Sequence, residues 1–299
     1  LTFNIGLTQA GGGLGGASPS FDFDQAQTSA SSLAKAWPLL LIGGLGFALF
    51  VQVERRSSTH ETTRPLINLD MFKRRNFTSA CLVNFFTGFV LIIAMVNVPL
   101  FINVILGETI ELAAIDSGRM LSALTIAMAI ASIVGGWLCK RFNYRLPTLL
   151  GLTFTGGGFL LMGTTWQVDV GYRVMATHLA LAGAGFGLII APTATAVVDA
   201  AIIEQRGVAS ALVTVLRLMG MTIGLSALTA WGLHRFGVIG QAELPPLSDP
   251  GYMENLTRIT AQVLRETFLI CGLVSWFTLL PAAIMQSATT DIDKPLISL

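Results

Sequence analysis

The chain has 299 residues, of which 53% are hydrophobic and only 12% charged, and its formal net charge is +1. Soluble domains carry about 25% charged residues, so this composition indicates that lipid is the solvent. The cations lie in short loops between apolar runs rather than on one basic face, which excludes nucleic acid as a partner. The three cysteines form no CxxC pair, so neither a disulfide framework nor a metal site is expected.

The N-terminal residues come before the first complete span. Residues 1–10 resemble the tail of an apolar helix cut in mid-course, and the rest of 1–35 is rich in Gly and Ser. Such a composition is typical of a flexible loop, which we place on the extracytoplasmic side. We therefore expect the chain to be a fragment of a longer protein.

Apolar runs of membrane-spanning length follow in order. A bilayer core of about 30 Å needs about 20 apolar residues at a rise of 1.5 Å each. Seven runs meet this length, near residues 36–53, 77–106, 118–139, 146–166, 173–199, 208–233 and 265–286. The sequence therefore predicts an all-α polytopic membrane protein with about seven transmembrane helices.

The loops between the runs predict an orientation. Loops 54–76, 140–145 and 204–207 carry ten Lys and Arg residues, against six in the opposite loops and edges. Because Lys and Arg are enriched in cytoplasmic loops, these loops and the tail 287–299 are predicted to face the cytoplasm. Aromatic residues at span ends agree with an interfacial belt, namely Trp37, Trp137, Trp166, Tyr172 and Trp231. We expect an integral multi-pass protein of the plasma (inner) membrane.

Arg217 is the most informative single residue. It lies ten residues after Gly207, about 15 Å along the helix axis. A guanidinium at that depth is costly unless it faces a cavity or a partner, which makes it a functional-site hypothesis. The alternative is an arginine that reaches back to the cytoplasmic interface or bonds a carbonyl group for structural reasons.

Other polar residues within the spans are candidates for a substrate cavity. Asn84 and Thr87 share one helix face, and Asn97 is about 140° round the same helix. Amides at this depth either bind helices together or line a polar cavity, and the sequence leaves both open. The cavity candidates are Asn84, Thr87, Asn97, Thr195, Thr214 and Arg217.

Small residues recur at helical spacing in the later spans. Gly183 and Gly187 form a GxxxG pair, and Gly220 and Gly224 form another. Such faces let helix backbones approach closely in lipid. The spans contain no Ser/His/Asp set, HExxH motif or paired buried carboxylates, so neither an enzyme nor a cofactor is expected.

Three stretches carry a family resemblance. Glu54-Arg55-Arg56 precedes a basic linker that ends in Lys73-Arg74-Arg75-Asn76-Phe77, and Gly136 to Arg145 forms a short cytoplasmic turn. Arg206-Gly207-Val208-Ala209-Ser210-Ala211 is followed by Arg217-Leu218-Met219-Gly220. Together they resemble the C-terminal portion of a major facilitator superfamily transporter, in particular its fourteen-helix drug/proton antiporter branch.

The resemblance implies a fold and a division of the chain. The spans correspond to helices eight to fourteen, so that 36–53 is a linker helix, 54–76 a cytoplasmic linker and 77–286 a six-helix bundle. Such bundles are inverted repeats of three helices, and residues 113–124 echo residues 200–212 from the opposite side of the membrane. The N-terminal half of the same chain would be a missing partner.

The cytoplasmic turn departs from the family pattern at two positions. Lys140 occupies the place of an acidic residue, and Asn143 the place of the second glycine. Asp199, at the end of the fifth span, either pairs with Arg206 or Arg217 or lies in cytoplasmic water. The gating candidates are Gly136, Lys140, Arg141, Arg145, Asp199 and Arg206.

The resemblance implies secondary active efflux of small amphipathic compounds, of the multidrug type, coupled to inward proton flow. The expected partners are thus a small-molecule substrate, protons and the lipid bilayer. Three alternatives are a membrane scaffold or assembly subunit without transport, a channel, and a superfamily transporter of another substrate class.

Overall fold

The computed structural model describes residues 69–106, 110–201, 203–246 and 249–285, together with single helical positions at Leu45 and Gln52. The predicted linker helix 36–53 otherwise lies outside these ranges, as do segment 1–35, most of the predicted linker 54–76 and tail 287–299. The helices in the described ranges are α1 (Arg75–Phe101), α2 (Ile110–Phe142), α3 (Arg145–Thr165), α4 (Tyr172–Ala200), α5 (Arg206–Glu243), α6 (Tyr252–Phe277) and α7 (Leu279–Ile284). Leu69–Lys73 and Ile203–Gln205 form 3₁₀ turns, and Ile102–Leu106 continues α1 as a π-helical turn.

Six helical segments are long and apolar enough to cross a membrane within the described ranges. They are Arg75–Ile105, Leu112–Phe142, Arg145–Thr165, Tyr172–Ala200, Arg206–Glu243 and Tyr252–Ile284. They correspond to six of the seven predicted runs. The remaining run, 36–53, lies outside the described residues apart from two single positions. The prediction of an all-α polytopic membrane protein is confirmed.

The predicted spans 208–233 and 265–286 leave residues 234–264 between them as a loop, but most of these residues are helical. Helix α5 continues to Glu243, and α6 begins at Tyr252, 13 residues before the predicted span. Hydropathy falls here because charged residues enter the sequence, but helix hydrogen bonds are internal and do not require an apolar sequence. Phe236, Ile239 and Ile259 bury against one another at these helix ends, which stabilises the extension.

The helices pack as two triplets of opposite orientation. The first helix of each triplet lies along the second helix of the other, so that α1 packs on α5 and α4 packs on α2. Contacts between α3 and α4 and between α3 and α6 complete the bundle. This arrangement is the one expected of an inverted repeat of three helices.

The aromatic core lies toward the end of the bundle where α1 and α3 finish. Trp166 follows the last residue of α3 as its C-cap and is fully buried. Its ring centroid lies 5.0 Å from that of Phe101 and 5.2 Å from that of Phe268. Trp166 therefore belongs to the core rather than to the predicted interfacial belt, whereas Trp137 is exposed.

Candidate functional site

Arg217 is bonded to Asn84 inside the bundle. Its Nη2 atom donates to Oδ1 of Asn84 over 2.9 Å, joining α5 to α1 across 133 residues of sequence. Asn84 is fully buried, and its amide nitrogen donates to the carbonyl oxygen of Ala80 at 3.2 Å. The guanidinium group, which keeps its charge in proteins, thus meets a neutral amide rather than a carboxylate.

The backbone around this pair explains how the two side chains meet. A Cβ atom at Gly88 would overlap the carbonyl oxygen of Arg217, and a Cβ at Gly220 would overlap that of Phe85. One at Gly224 would lie 2.6 Å from the carbonyl oxygen of Phe89. Helices α1 and α5 therefore approach to backbone contact, as the GxxxG pattern of α5 predicts.

The Arg217 guanidinium is only partly satisfied. Its Nε atom is buried and has no hydrogen-bond partner among the residues that the structure describes. Leaving such a donor unpaired costs about 1–3 kcal/mol, and more for a charged group. A residue that accepts this cost in a membrane span is a functional-site candidate.

The other cavity candidates do not join this pair. Thr87 is buried one turn farther along α1 and donates to the carbonyl oxygen of Val83 at 2.7 Å. Thr195 is exposed on α4 and donates to its own helix at Ala191 over 2.9 Å. Thr214 is exposed on α5, and Asn97 is partly buried near the outer end of α1.

The turn between α2 and α3, predicted to be cytoplasmic, contains only Asn143 and Tyr144. Asn143 has φ 62°, a left-handed conformation, which asparagine adopts more readily than most residues other than glycine. The conformation explains why this residue type fits the position where the family pattern has a glycine. Asparagine at position 143 is therefore compatible with the backbone conformation of the turn.

Tyr144 connects the turn to the end of α4. Its hydroxyl group donates to the Asp199 carboxylate. Burial raises the pKa of the Tyr144 phenol, and the hydrogen bond to Asp199 adds to the rise. The phenol thus remains a donor at neutral pH. The ion pairs of Asp199 with Arg206 or Arg217 that the sequence left open are not present among the described residues.

The basic gating candidates surround this turn. Lys140, Arg141 and Arg145 are exposed, and Arg206 is exposed where it begins α5. Gly136 is partly buried, with space for a Cβ atom. The structure therefore groups Asp199 with Tyr144 and leaves these cations exposed around the turn.

Two arginines outside the predicted set bond to helix ends. Arg74 Nη1 donates to the carbonyl oxygen of Ala200 at 3.1 Å, at the last residue of α4. Arg265 donates from Nε to Gly163 at 3.1 Å and from Nη2 to Thr164 at 3.3 Å, at the end of α3. Cations at helix C-termini are favoured by the helix dipole, but only the fold reveals which helix each one reaches.

A partly buried arginine held between helices, in a bundle of two inverted triplets, is an arrangement found in polytopic membrane transporters. The family model described as Major Facilitator Superfamily matches residues 25–225, more than half of the chain. The chain belongs to this superfamily.

Several relatives of this chain are named triacylglyceride transporters or probable triacylglyceride transporters. One from Mycolicibacterium smegmatis is 36% identical over 203 residues, covering 64% of this chain and 35% of that protein. Another, named a probable triacylglyceride transporter, from Mycobacterium leprae, is 32% identical over 279 residues, covering 86% of this chain and 52% of that protein. The chain thus spans between about a third and a half of the length of these two relatives.

The fold has a counterpart among solved structures. A bacterial homologue of the human lysosomal transporter Spinster, inward-facing and occupied, matches with a TM-score of 0.56 at 15% identity. The match covers 85% of this chain and 56% of that one. At this identity the likeness shows a common fold. The chain is a multi-pass membrane protein of a transporter family.

Proposed function

We propose that the complete protein is a secondary active exporter of apolar or amphipathic, lipid-like molecules across the plasma membrane. The observation that carries the proposal is the Arg217–Asn84 bond, which holds a partly satisfied charge in a membrane span. The remaining guanidinium donors are suited to a polar group of the substrate or of the N-terminal half. A residue in that role acts on transport as well as on folding.

The relatives' names support a lipid-like substrate class. They extend the sequence-based expectation of small amphipathic compounds, of the multidrug type, toward molecules of the triacylglyceride class. The exposed faces of α2 and α5 are strongly apolar, with Ile126, Ile130 and Ile133 on α2 and Leu218 on α5. Such faces suit an apolar substrate and the surrounding lipid alike.

Proton coupling is part of the proposal through the resemblance to the antiporter branch. Three carboxylates in the described helices are engaged in ion pairs: Asp116 with Arg119 at 3.2 Å, Glu266 with Arg235 at 2.9 Å, and Glu243 with Arg258 at 3.3 Å. We assign the proton-carrying carboxylate to the N-terminal half. In the bundle, Arg217 would instead bias the alternation between inward and outward states.

The cytoplasmic turn is proposed as the gate on this side. Lys140, Arg141, Arg145 and Arg206 are exposed, and Asp199 is bonded to the same turn through Tyr144. In an alternating-access cycle, one bundle rocks against the other around a central site. Exposed cations at this end are placed to contact the N-terminal half when the cytoplasmic side closes.

An export assay on the complete protein tests the proposal. Cells or inverted vesicles carrying wild type, Arg217→Ala or the control Arg173→Ala are compared at matched expression, with a fluorescent triacylglyceride analogue and a cationic amphipathic dye. Arg173 is exposed at the start of α4, so its loss leaves the bundle interior unchanged. We expect wild type and Arg173→Ala to export at least one probe, with Arg217→Ala defective.

A protonophore provides the second arm of the assay. Export that stops with the protonophore supports antiport, whereas export that continues contradicts proton coupling. A scaffold without transport predicts no export difference between wild type and Arg217→Ala. A channel predicts flux that follows the substrate gradient and never accumulates the probe against it.

A further inference from the structure

A charged cleft lies where α6 passes the end of α3. Its volume is about 640 Å³, within the range of small-molecule sites. It is lined by Gln167, Val168, Asp169, Glu243, Arg258, Ala261, Gln262 and Arg265. It is separate from the Arg217 site, which lies at the α1–α5 contact.

The cleft lies at the level of the lipid head groups. Helix α3 has 21 residues, about 31 Å at 1.5 Å per residue, and so matches the hydrocarbon thickness. Arg265 bonds the carbonyl oxygens of Gly163 and Thr164 at the end of this helix. Helix α6 begins 13 residues before Arg265 and therefore rises about 20 Å above this level, forming one wall of the cleft.

The charges of the lining balance. Arg258 and Arg265 supply two positive charges, and Asp169 and Glu243 supply two negative charges. Arg258 Nη2 donates to the Glu243 carboxylate at 3.3 Å. Arg265 donates from Nε and Nη2 to backbone carbonyl oxygens. Since a guanidinium carries five N–H donors, both side chains retain donors for a phosphate.

The lining also distinguishes between types of ammonium group. None of the eight lining residues is aromatic, so the cleft lacks the aromatic cage that recognises quaternary ammonium ions. The carboxylates of Asp169 and Glu243 accept hydrogen bonds, which a primary ammonium donates and a choline group does not. Val168 and Ala261 supply the apolar part of the lining.

We propose that this cleft binds the phosphoethanolamine head group of a phospholipid in the extracytoplasmic leaflet. The phosphate monoanion bonds Arg258 and Arg265, and the primary ammonium bonds Asp169 and Glu243. A lipid held there would fix α6 to the membrane surface beside the end of α3. The site is independent of the substrate and of proton coupling.

Native mass spectrometry of the full-length transporter tests this site. The protein is exchanged into detergent with equal amounts of phosphatidylethanolamine, phosphatidylcholine and phosphatidylglycerol, and the retained lipids are counted. We expect wild type to retain the ethanolamine lipid over the choline lipid by about fivefold, the factor that one hydrogen bond of about 1 kcal/mol gives. Equal retention of all three lipids would overturn the proposal.

Two charge variants and one control locate the effect. Arg258→Gln should lose the ethanolamine preference, and Asp169→Asn should shift retention toward phosphatidylglycerol, because the cleft then has a net positive charge. Both residues are exposed, so the fold should remain, which the melting temperature checks. Arg173→Gln, on the same side but outside the lining, should behave as wild type. Unchanged lipid preference in both cleft variants would contradict the site.

A soluble competitor distinguishes a membrane lipid from a free metabolite as the source of the bound phosphoethanolamine group. Glycerophosphoethanolamine carries the same phosphate and ammonium without acyl chains. We expect it to displace the lipid only at much higher concentration than the lipid itself requires. Equal potency of the soluble compound would assign the site to a free metabolite and overturn the bilayer source.

Discussion

The α1–α5 and α2–α4 contacts are built alike but differ in chemistry. In the first, a Cβ at Gly220 would overlap the carbonyl oxygen of Phe85, and in the second, a Cβ at Gly187 would overlap that of Met128. Both helix pairs thus pack backbone to backbone. The first carries a charged pair in the interior of the bundle, between Arg217 and Asn84, whereas the charged bond of the second lies at the start of α4, where Tyr172 donates to Asp116 at 3.0 Å.

At the α2–α4 contact, the polar side chain beside Gly187 bonds within its own helix. Ser132 donates to the carbonyl oxygen of Ala129 at 2.7 Å, where the other contact has an interhelical bond. The inverted repeat therefore supplies two equivalent packing surfaces, and only one of the two has an arginine beside its close glycine contacts. We expect changes to the packing to affect both contacts, and changes to the polar pair to affect only one.

The largest effect is expected from filling the close contacts. Gly220→Ala and Gly187→Ala each place a methyl group on a backbone oxygen that cannot move aside, which costs about 1–3 kcal/mol or more. Both should lower the melting temperature and the yield of folded protein. Gly207→Ala, where no heavy atom lies within 4 Å of the added Cβ, is the control. A melting temperature of Gly220→Ala equal to that of Gly207→Ala would contradict the packing.

Changes to the Arg217–Asn84 pair should affect transport more than stability. Arg217→Lys retains the charge but loses the planar geometry, and we expect export to fall by roughly tenfold, the equivalent of 1.4 kcal/mol. Ser132→Ala, at the equivalent contact, should leave export within twofold of wild type, because only a bond within one helix is lost. Initial export rates at matched expression give both values. Equal losses in the two variants would remove the distinction between the contacts.

A smaller effect is expected at the C-terminal end of α4. Tyr144→Phe removes the hydrogen bond to Asp199 and should cost about 0.5–1.5 kcal/mol. Because the pKa of Tyr144 is raised in the folded state, its contribution is fully present below about pH 10, the ordinary tyrosine value, and is lost as the pH rises above that. Melting temperatures of wild type and Tyr144→Phe should therefore converge in strong alkali. A constant difference across this range would contradict the assignment.

The smallest effect is expected at Asn143. Asn143→Gly should be nearly neutral, because glycine adopts φ 62° without strain. Asn143→Val should cost about 1–2 kcal/mol, since a β-branched side chain is disfavoured there. Thermal unfolding of the two variants measures the difference. A more stable valine than glycine variant would show that the turn has another conformation.

The sequence predicted the features that depend on composition along one helix. Six spans follow from hydropathy, and the close contacts of Gly183, Gly187, Gly220 and Gly224 follow from their spacing. The ends of α5 and α6 were missed because charged residues such as Glu243 and Arg258 end the apolar pattern but not the helix. Hydropathy marks the residues suited to the membrane interior, and a helix can continue beyond them.

Residue pairs that meet only in the folded bundle could not be predicted from the sequence. Asn84 and Arg217 were each candidates, but 133 residues separate them, and only the α1–α5 contact brings them together. For Asp199 the sequence offered arginine partners, and the structure gives Tyr144. A tyrosine in a basic turn is a weak signal, since its hydroxyl group has no charge that would mark it as a partner.

A double-mutant cycle at Asn84 and Arg217 tests the central claim most directly. Initial export rates are measured for the complete protein as wild type, Asn84→Ala, Arg217→Ala and the double variant, at matched expression. If the interhelical bond carries the function, the double variant should export no more slowly than Arg217→Ala alone, because either single change already removes the bond. Independent, multiplicative losses in export would contradict the claim that the α1–α5 pair acts as one unit.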